Sequence, residues 1–314
     1  MKRARRGFLL AALVASVALY CFPARAGGLR ISPEAQAALD KIYSGDPDAA
    51  LLIVRALQQA QPEHPLGYAL EGEALWWKRY CGALETKYGI VDSWKHSKEP
   101  EDEAYFKLAD KVVHLAAAQL RKNETAEMHV YAGMGYALKA RVYALRGENR
   151  NVAHAGVSAR SEMLRALELD PEMADATGGV GLYNYYVATL SPIVKIFRFF
   201  MGIPGGDKEL GIKQMEIGMT QGVLLRVDVR YIFAKSLRQY DQKYERALAI
   251  AEPLVARYPQ NPIFLLLLGN LNAELGRSEK AAGYFQAVLK STAGDSSCVA
   301  HARELATAVL KSLY

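Results

Sequence analysis

The sequence predicts an all-α protein, a solenoid of antiparallel helix pairs finished by a C-terminal capping helix. Three observations carry this expectation. Residues recur after 34 positions, glycine and proline punctuate successive units at matching places, and no stretch alternates apolar and polar residues as a half-buried strand does. The recurrence is clearest near the C-terminus. Gly276, Ala281, Phe285 and Leu289 fall 34 residues after Gln242, Ala247, Ala251 and Val255, and Val288 and Ala293 stand in the same relation to Leu254 and Pro259.

Residues 1–26 read as a secretory signal peptide. Lys2, Arg3, Arg5 and Arg6 form a basic start, Phe8 to Phe22 is apolar, and Ala24-Arg25-Ala26 is a small-x-small cleavage site. The apolar run is about 15 residues, short of the roughly 20 that span a bilayer. A retained membrane anchor is the alternative. Lipoprotein processing at Cys21 is disfavoured by the bulky Tyr20 before it. The whole chain has 39 basic and 33 acidic residues, a net of +6. Five of the basic residues lie in 1–26 and no acidic ones do, so 34 against 33 remain, a net of +1. The basicity belongs to the export segment, and no nucleic-acid partner is expected.

Residues 27–314 then divide into helix pairs forming one superhelix. In unit 31–64, Ile31–Tyr43 is the first helix, with Pro33 in its first turn where a missing N–H costs nothing. Gly45-Asp46-Pro47 is the turn, and Ala49–Gln59 is the second helix. Unit 65–122 pairs Leu66–Tyr88, with Gly72 at a close helix approach, with Glu103–Arg121, across a polar loop holding Pro100. Unit 124–173 pairs Glu124–Arg146 with Val152–Leu169. In unit 174–223, Gly178, Gly179 and Gly181 precede an aromatic stretch, and Asp207 is placed to cap the helix that runs to Gly222. Units 228–261 and 262–295 follow without insertion, and residues 298–313 form the solubilising cap. Cys81 and Cys298 remain after the signal. Distant units of an extended solenoid do not touch, so two separate buried thiols are expected, with one long-range disulfide as the alternative.

The 34-residue period, with a small residue opening each second helix and Pro259 closing a unit, resembles the tetratricopeptide repeat. A narrower likeness lies in Gly179-Val180-Gly181-Leu182-Tyr183-Asn184, Leu190-Ser191-Pro192 and Gly206-Asp207-Lys208-Glu209-Leu210-Gly211. These segments resemble, in the same order, motifs of the outer-membrane TPR-like family that includes the inclusion-body clearance proteins. The likeness covers roughly residues 120–295. It implies a helical-repeat fold and a protein-binding, non-enzymatic class. The export segment keeps a cytosolic clearance role from being carried over.

Motifs of chemistry are thin. Gly202-Ile203-Pro204-Gly205-Gly206-Asp207-Lys208 looks like a phosphate loop, but Asp207 stands where glycine is required and no strand precedes it. The six histidines are scattered with no HExxH spacing, and no G-x-S-x-G is present. No cofactor or metal is expected, and no enzymatic activity. Asn123-Glu124-Thr125 matches a glycosylation acceptor.

The concave wall is the better place for function. By repeat position it is lined by Leu66, Ala69, Glu73, Trp76 and Trp77, by Val229, Ile232, Ser236, Gln239 and Tyr240, and by Ile263, Leu266, Asn270, Ala273 and Glu274. Glu73, Trp77, Ser236, Tyr240, Asn270 and Glu274 are the candidate contacts for a protein or peptide partner. Asn270 stands out because a carboxamide can hold both the donor and the acceptor of a peptide backbone. A second candidate surface is the stretch 182–201. Tyr183 and Tyr186 share a helix face there, and Phe197 and Phe200 lie beside Lys195 and Arg198, a composition suited to peripheral membrane or lipid contact. The expected function is an exported scaffold, periplasmic or envelope-associated (or secreted where no outer membrane exists), binding its partner on the concave face. A membrane-surface or lipid-handling adaptor is the alternative. The mature protein is expected to begin at Gly27, which intact-mass measurement of the exported form checks; a chain starting at Met1 would overturn the export reading.

Overall fold

In the computed structural model the described residues are 28–313, apart from 88, 95, 192–194, 196–197 and 199–201. The signal segment 1–26 and the aromatics Phe197 and Phe200 lie outside them. The described residues form thirteen α-helices and one small hairpin. The helices are α1 (Pro33–Tyr43), α2 (Pro47–Ala60), α3 (Pro65–Gly82), α4 (Asp102–Leu120), α5 (Ala126–Leu145), α6 (Asn149–Leu169) and α7 (Ala174–Thr189). After these come α8 (Lys208–Gln221), α9 (Arg226–Asp241), α10 (Tyr244–Arg257), α11 (Pro262–Glu274), α12 (Ser278–Lys290) and α13 (Ser296–Leu313). Strands β1 (Leu84–Lys87) and β2 (Ile90–Trp94) lie between α3 and α4.

Local chemistry sets where the helices begin. Ser32, Asp46, His64 and Asn261 each accept a first-turn N–H, and each is followed by proline at the first helical position. Asp207 caps α8 by accepting the Leu210 N–H at 3.0 Å. The turns within pairs need a left-handed residue. Gly45, Gly147 and Gly276 supply it with φ of +83°, +72° and +68°. Gln242, which stands 34 positions before Gly276, takes the same conformation at φ +52° without being glycine.

Successive helices pack as antiparallel pairs, and the first helices of neighbouring pairs pack side by side: α1 on α3, α3 on α5, α7 on α9, α9 on α11. Small residues set the spacing. A Cβ on Gly72 would lie 2.5 Å from Leu138 Cδ1, and one on Gly269 would lie 2.7 Å from the Phe285 ring. The tightest pair is α7 with α8, where Gly178 faces Gly218 and Gly181 faces Gly211. A Cβ on Gly211 would come within 2.7 Å of the Tyr185 backbone nitrogen, so only glycine lets the two backbones meet.

Two sequence expectations are corrected. The helix expected to run through Tyr88 ends at Gly82, and the chain turns back as an antiparallel hairpin with Thr86 opposite Val91 and Lys87 opposite Ile90. Thr86, Ile90 and Val91 are β-branched and favour a strand, and Gly89 holds φ +80° between the strands. A lone two-stranded hairpin is marginal in water, so its packing on α11 and α13 is what makes it persist. The cysteines are also not separate: Cys81 in α3 and Cys298 in α13 form a disulfide across 217 residues, with Cα atoms 5.6 Å apart.

The reason is that the first and last units meet. The Gly45 carbonyl accepts the Asp295 N–H at 2.9 Å, and the Tyr43 carbonyl accepts from Asn261 Nδ2 at 2.8 Å. An aromatic cluster fills the junction. Trp77 of α3 packs edge-on against Tyr43, Tyr231 and Phe264 at centroid distances of 6.0, 5.2 and 5.5 Å, and Tyr258 closes the set against Tyr43 and Phe264. Ala281 is fully buried on α12. Ala281→Leu should overpack that helix contact and lower stability by roughly 1–3 kcal/mol, read from chemical denaturation; a variant as stable as the wild type would show that no close helix contact exists there.

Candidate functional site

Four helices converge on one buried cation. Arg141 of α5 donates to Glu73 Oε2 of α3 at 2.7 Å and lies 3.5 Å from Asp228 Oδ1 of α9. Tyr43 at the end of α1 donates its hydroxyl to Asp228 Oδ2 at 2.6 Å. Glu73 and Asp228 are both 2% exposed. The Trp76 ring lies 5.4 Å from the guanidinium and adds a cation–π contact.

Two carboxylates beside one cation in a dry interior disfavour the ionisation of both. Burial first, then the charge of Glu73, push the Asp228 carboxyl well above the ordinary aspartate range, against the pull of Arg141. Glu73 Oε1 has no hydrogen-bond partner among the described residues. Burial works against the Arg141 cation, but Glu73 and then Asp228 outweigh it, so its pKa lies above the ordinary arginine value. Burial and the Asp228 charge likewise raise the Tyr43 phenol well above its usual range. Glu73, Asp228 and Tyr43 are all buried, so the cluster is part of the core.

The second site lies on the wall formed by α9 and α11. Asn270 of α11 holds the backbone of Val91 in β2 from both sides. Its Oδ1 accepts the Val91 N–H at 3.0 Å, and its Nδ2 donates to the Val91 carbonyl. Next to this clasp Lys235 donates to the Tyr80 hydroxyl at 2.7 Å, and that hydroxyl is 2.9 Å from the Tyr231 hydroxyl. Arg238 donates to Glu274 at 3.2 Å. Lys235 and Arg238 are 9% and 4% exposed, so two cations are buried on one wall. A small cavity remains between these residues and the hairpin.

The structure therefore distributes the expected contact residues unevenly. Glu73 and Trp77 belong to the core, and Ser236 is buried with its hydroxyl directed to Tyr186 at 3.1 Å. Asn270 is buried and already engaged by the chain itself. Tyr240 is 49% exposed and stacks edge-on with Tyr186, which is itself 37% exposed, while Glu274 reaches solvent as the partner of Arg238. Tyr183 is half-buried, donates to the Pro204 carbonyl at 2.9 Å, and carries Arg160 over its ring. These tyrosines are held by the protein, and the aromatic residues that follow them fall outside the described part.

Sequence reading missed Arg141, Asp228, Lys235 and Arg238. A signal existed: Asp228, Lys235 and Arg238 recur at i, i+7 and i+10, which is one face of α9. Charges on a buried face point to partners elsewhere in the chain, though their identity is not written locally. Among the described residues no group of histidine, cysteine and carboxylate side chains is placed to hold a metal, and no helix is long and apolar enough to cross a membrane.

With this geometry in view, the comparison with known families is specific about the C-terminal units. Residues 236–296 match the tetratricopeptide repeat, from the end of α9 through α12 to the start of α13. Repeats of this kind typically serve as protein-interaction scaffolds without chemistry of their own. The match reaches the repeat, and does not extend to the narrower clearance family that residues 179–211 resemble. No curated protein matches the chain.

The raised Asp228 pKa has a pH consequence. The native state binds more protons here than the unfolded chain does. The associated stability is fully present below the ordinary aspartate pKa of about 3.9 and is lost as pH rises through the elevated native value. Asp228→Asn cannot ionise and keeps a carbonyl for Tyr43. Denaturation from about pH 4 to about pH 8 should show the stability of the wild type falling relative to this variant as pH rises; a constant difference would mean that Asp228 is ionised throughout.

Proposed function

We propose that the mature chain is an exported, non-catalytic scaffold that binds a protein or peptide partner along its inner wall. The observation that carries this reading is the Asn270 clasp: an inner-wall side chain holds the N–H and C=O of an extended segment. Backbone recognition of this kind on rigid helices gives affinity by preorganisation, since few groups have to be ordered on binding. The tetratricopeptide match over 236–296 supports the same class.

Export is supported by the Cys81–Cys298 disulfide. Such bonds persist in oxidising compartments such as the periplasm and the extracellular space, and are rare in a reducing cytosol. The open end of the wall, where Tyr240 and Glu274 reach solvent beside Tyr186, is where a partner first meets the protein.

Capture from the envelope fraction with the mature, oxidised protein tests this function. A specific partner is expected, and Tyr240→Ala should weaken its binding about tenfold, the loss of about 1.4 kcal/mol. Tyr240 is half-exposed and touches Tyr186 edge-on, so folding stability should fall by no more than about 1.5 kcal/mol. The same protein should not sediment with liposomes. Liposome binding without a protein partner would replace the scaffold by a membrane adaptor, and unchanged partner binding by Tyr240→Ala would move the contact away from this end of the wall.

A further inference from the structure

We propose that a cleft beside the start of α1 binds a free amino acid with an aliphatic side chain. This goes beyond the partner-binding reading, and the cleft shares no residue with the cavity on the α9–α11 wall. It lies where the strap before α1 meets the end of α2 and the starts of α3 and α5, and its volume is about 170 Å³. A cavity of about 150 Å³ holds benzene, so this space suits a small molecule and not a folded partner.

Two opposite charges line the cleft without neutralising each other. The Arg30 side chain makes no ion pair or hydrogen bond among the described residues. Glu127, in the first turn of α5, accepts the Tyr131 hydroxyl at 3.0 Å and is paired with no cation among them. His64 caps α3 through Nδ1, which accepts the Leu66 N–H at 3.2 Å, so the proton of its neutral ring sits on the other nitrogen. Burial lowers the His64 pKa against the opposing charge of Glu127, and the ring therefore adds a donor but no charge at neutral pH. Ile31, Leu57 and Leu66, partly buried against the core, supply an apolar lining.

These groups are held in place before any ligand arrives. Tyr131 is fully buried; its ring packs edge-on against His64 at 5.4 Å while its hydroxyl holds Glu127. The strap is anchored on both sides of Arg30. Leu29 is buried and Gly28 donates to Asp170 Oδ2 at 3.0 Å, and beyond Arg30 the Ser32 hydroxyl accepts the Ala35 N–H at 3.2 Å. Little remains to be ordered on binding.

The lining selects the ligand by charge. A carboxylate answers Arg30 and an ammonium answers Glu127. An anion alone would meet Glu127, a cation alone would meet Arg30, and a neutral apolar molecule would desolvate both charges without pairing either. Both charges on one short skeleton, with an aliphatic side chain for Leu57 and Leu66, describe an amino acid such as leucine.

Calorimetric titration of leucine into the mature, oxidised protein should give a Kd of about 1 mM or tighter. Arg30→Gln and Glu127→Gln should each weaken it about tenfold or more. Arg30 is exposed, and the Glu127 substitution keeps an acceptor for Tyr131, so circular dichroism and the thermal midpoint should stay near those of the wild type. Analogues assign each charge. N-acetyl-leucine, without the ammonium, should bind weakly and equally to wild type and Glu127→Gln, and leucine amide should be indifferent to Arg30→Gln. Glycine, without the side chain, should bind more weakly than leucine. The analogue series on the wild type stands without any variant. Absence of leucine binding up to about 10 mM, equal binding of leucine and N-acetyl-leucine, or leucine binding untouched by both substitutions overturns the proposal. A peptide ending in leucine that binds as tightly as free leucine also overturns it and gives the cleft to chain termini.

Discussion

One guanidinium decides which helices meet. Arg141 reaches Glu73 on α3 and Asp228 on α9, and Asp228 in turn receives the hydroxyl of Tyr43 from α1. A buried ion pair contributes little net stability, because desolvation offsets the attraction. Its consequence is selectivity. Leaving a carboxylate alone in the interior is far more costly than pairing it, so arrangements that separate these helices are penalised. The raised pKa of Asp228 belongs to the same constraint, since burial and the Glu73 charge both disfavour a second anion beside the one cation.

From that junction the shape of the molecule follows. A helical-repeat chain ordinarily keeps its contacts between neighbours. Here the first two units meet the last two through Trp77, Tyr231, Phe264 and Tyr258, and the Cys81–Cys298 disulfide makes the meeting covalent. Closure changes the meaning of the inner wall. Side chains that would line an open groove in an extended array become core, as Glu73, Trp77 and Ser236 do. What remains of the wall between α9 and α11 is covered by β2.

Local signals were legible because their causes are local. Pro33 and Asp207 start helices through bonds made within one turn, and Gly211 admits a neighbouring backbone because it has no Cβ. The left-handed turn at Gln242 was not read from the sequence, since glutamine carries no turn signal of its own and only its place 34 positions before Gly276 marks it. Asn270 was recognisable as a residue able to grip a backbone. That the backbone is the chain's own could not be read, because Val91 lies 179 residues away.

The sequence by itself determined the all-α class, the helix starts, and the small residues that let paired helices touch. Each of these depends on spacing within a few dozen residues. Only the tertiary structure decided the closure, the disulfide, the burial of Glu73 and Asn270, and the hairpin that replaces the end of an expected helix. The physical reason is sequence distance. Capping and repeat periodicity act within a turn or between adjacent units, whereas the Arg141 cluster, the aromatic junction and the Asn270 clasp join residues far apart in the chain. Which distant groups meet is set by the packing of the whole superhelix, and no local pattern encodes it.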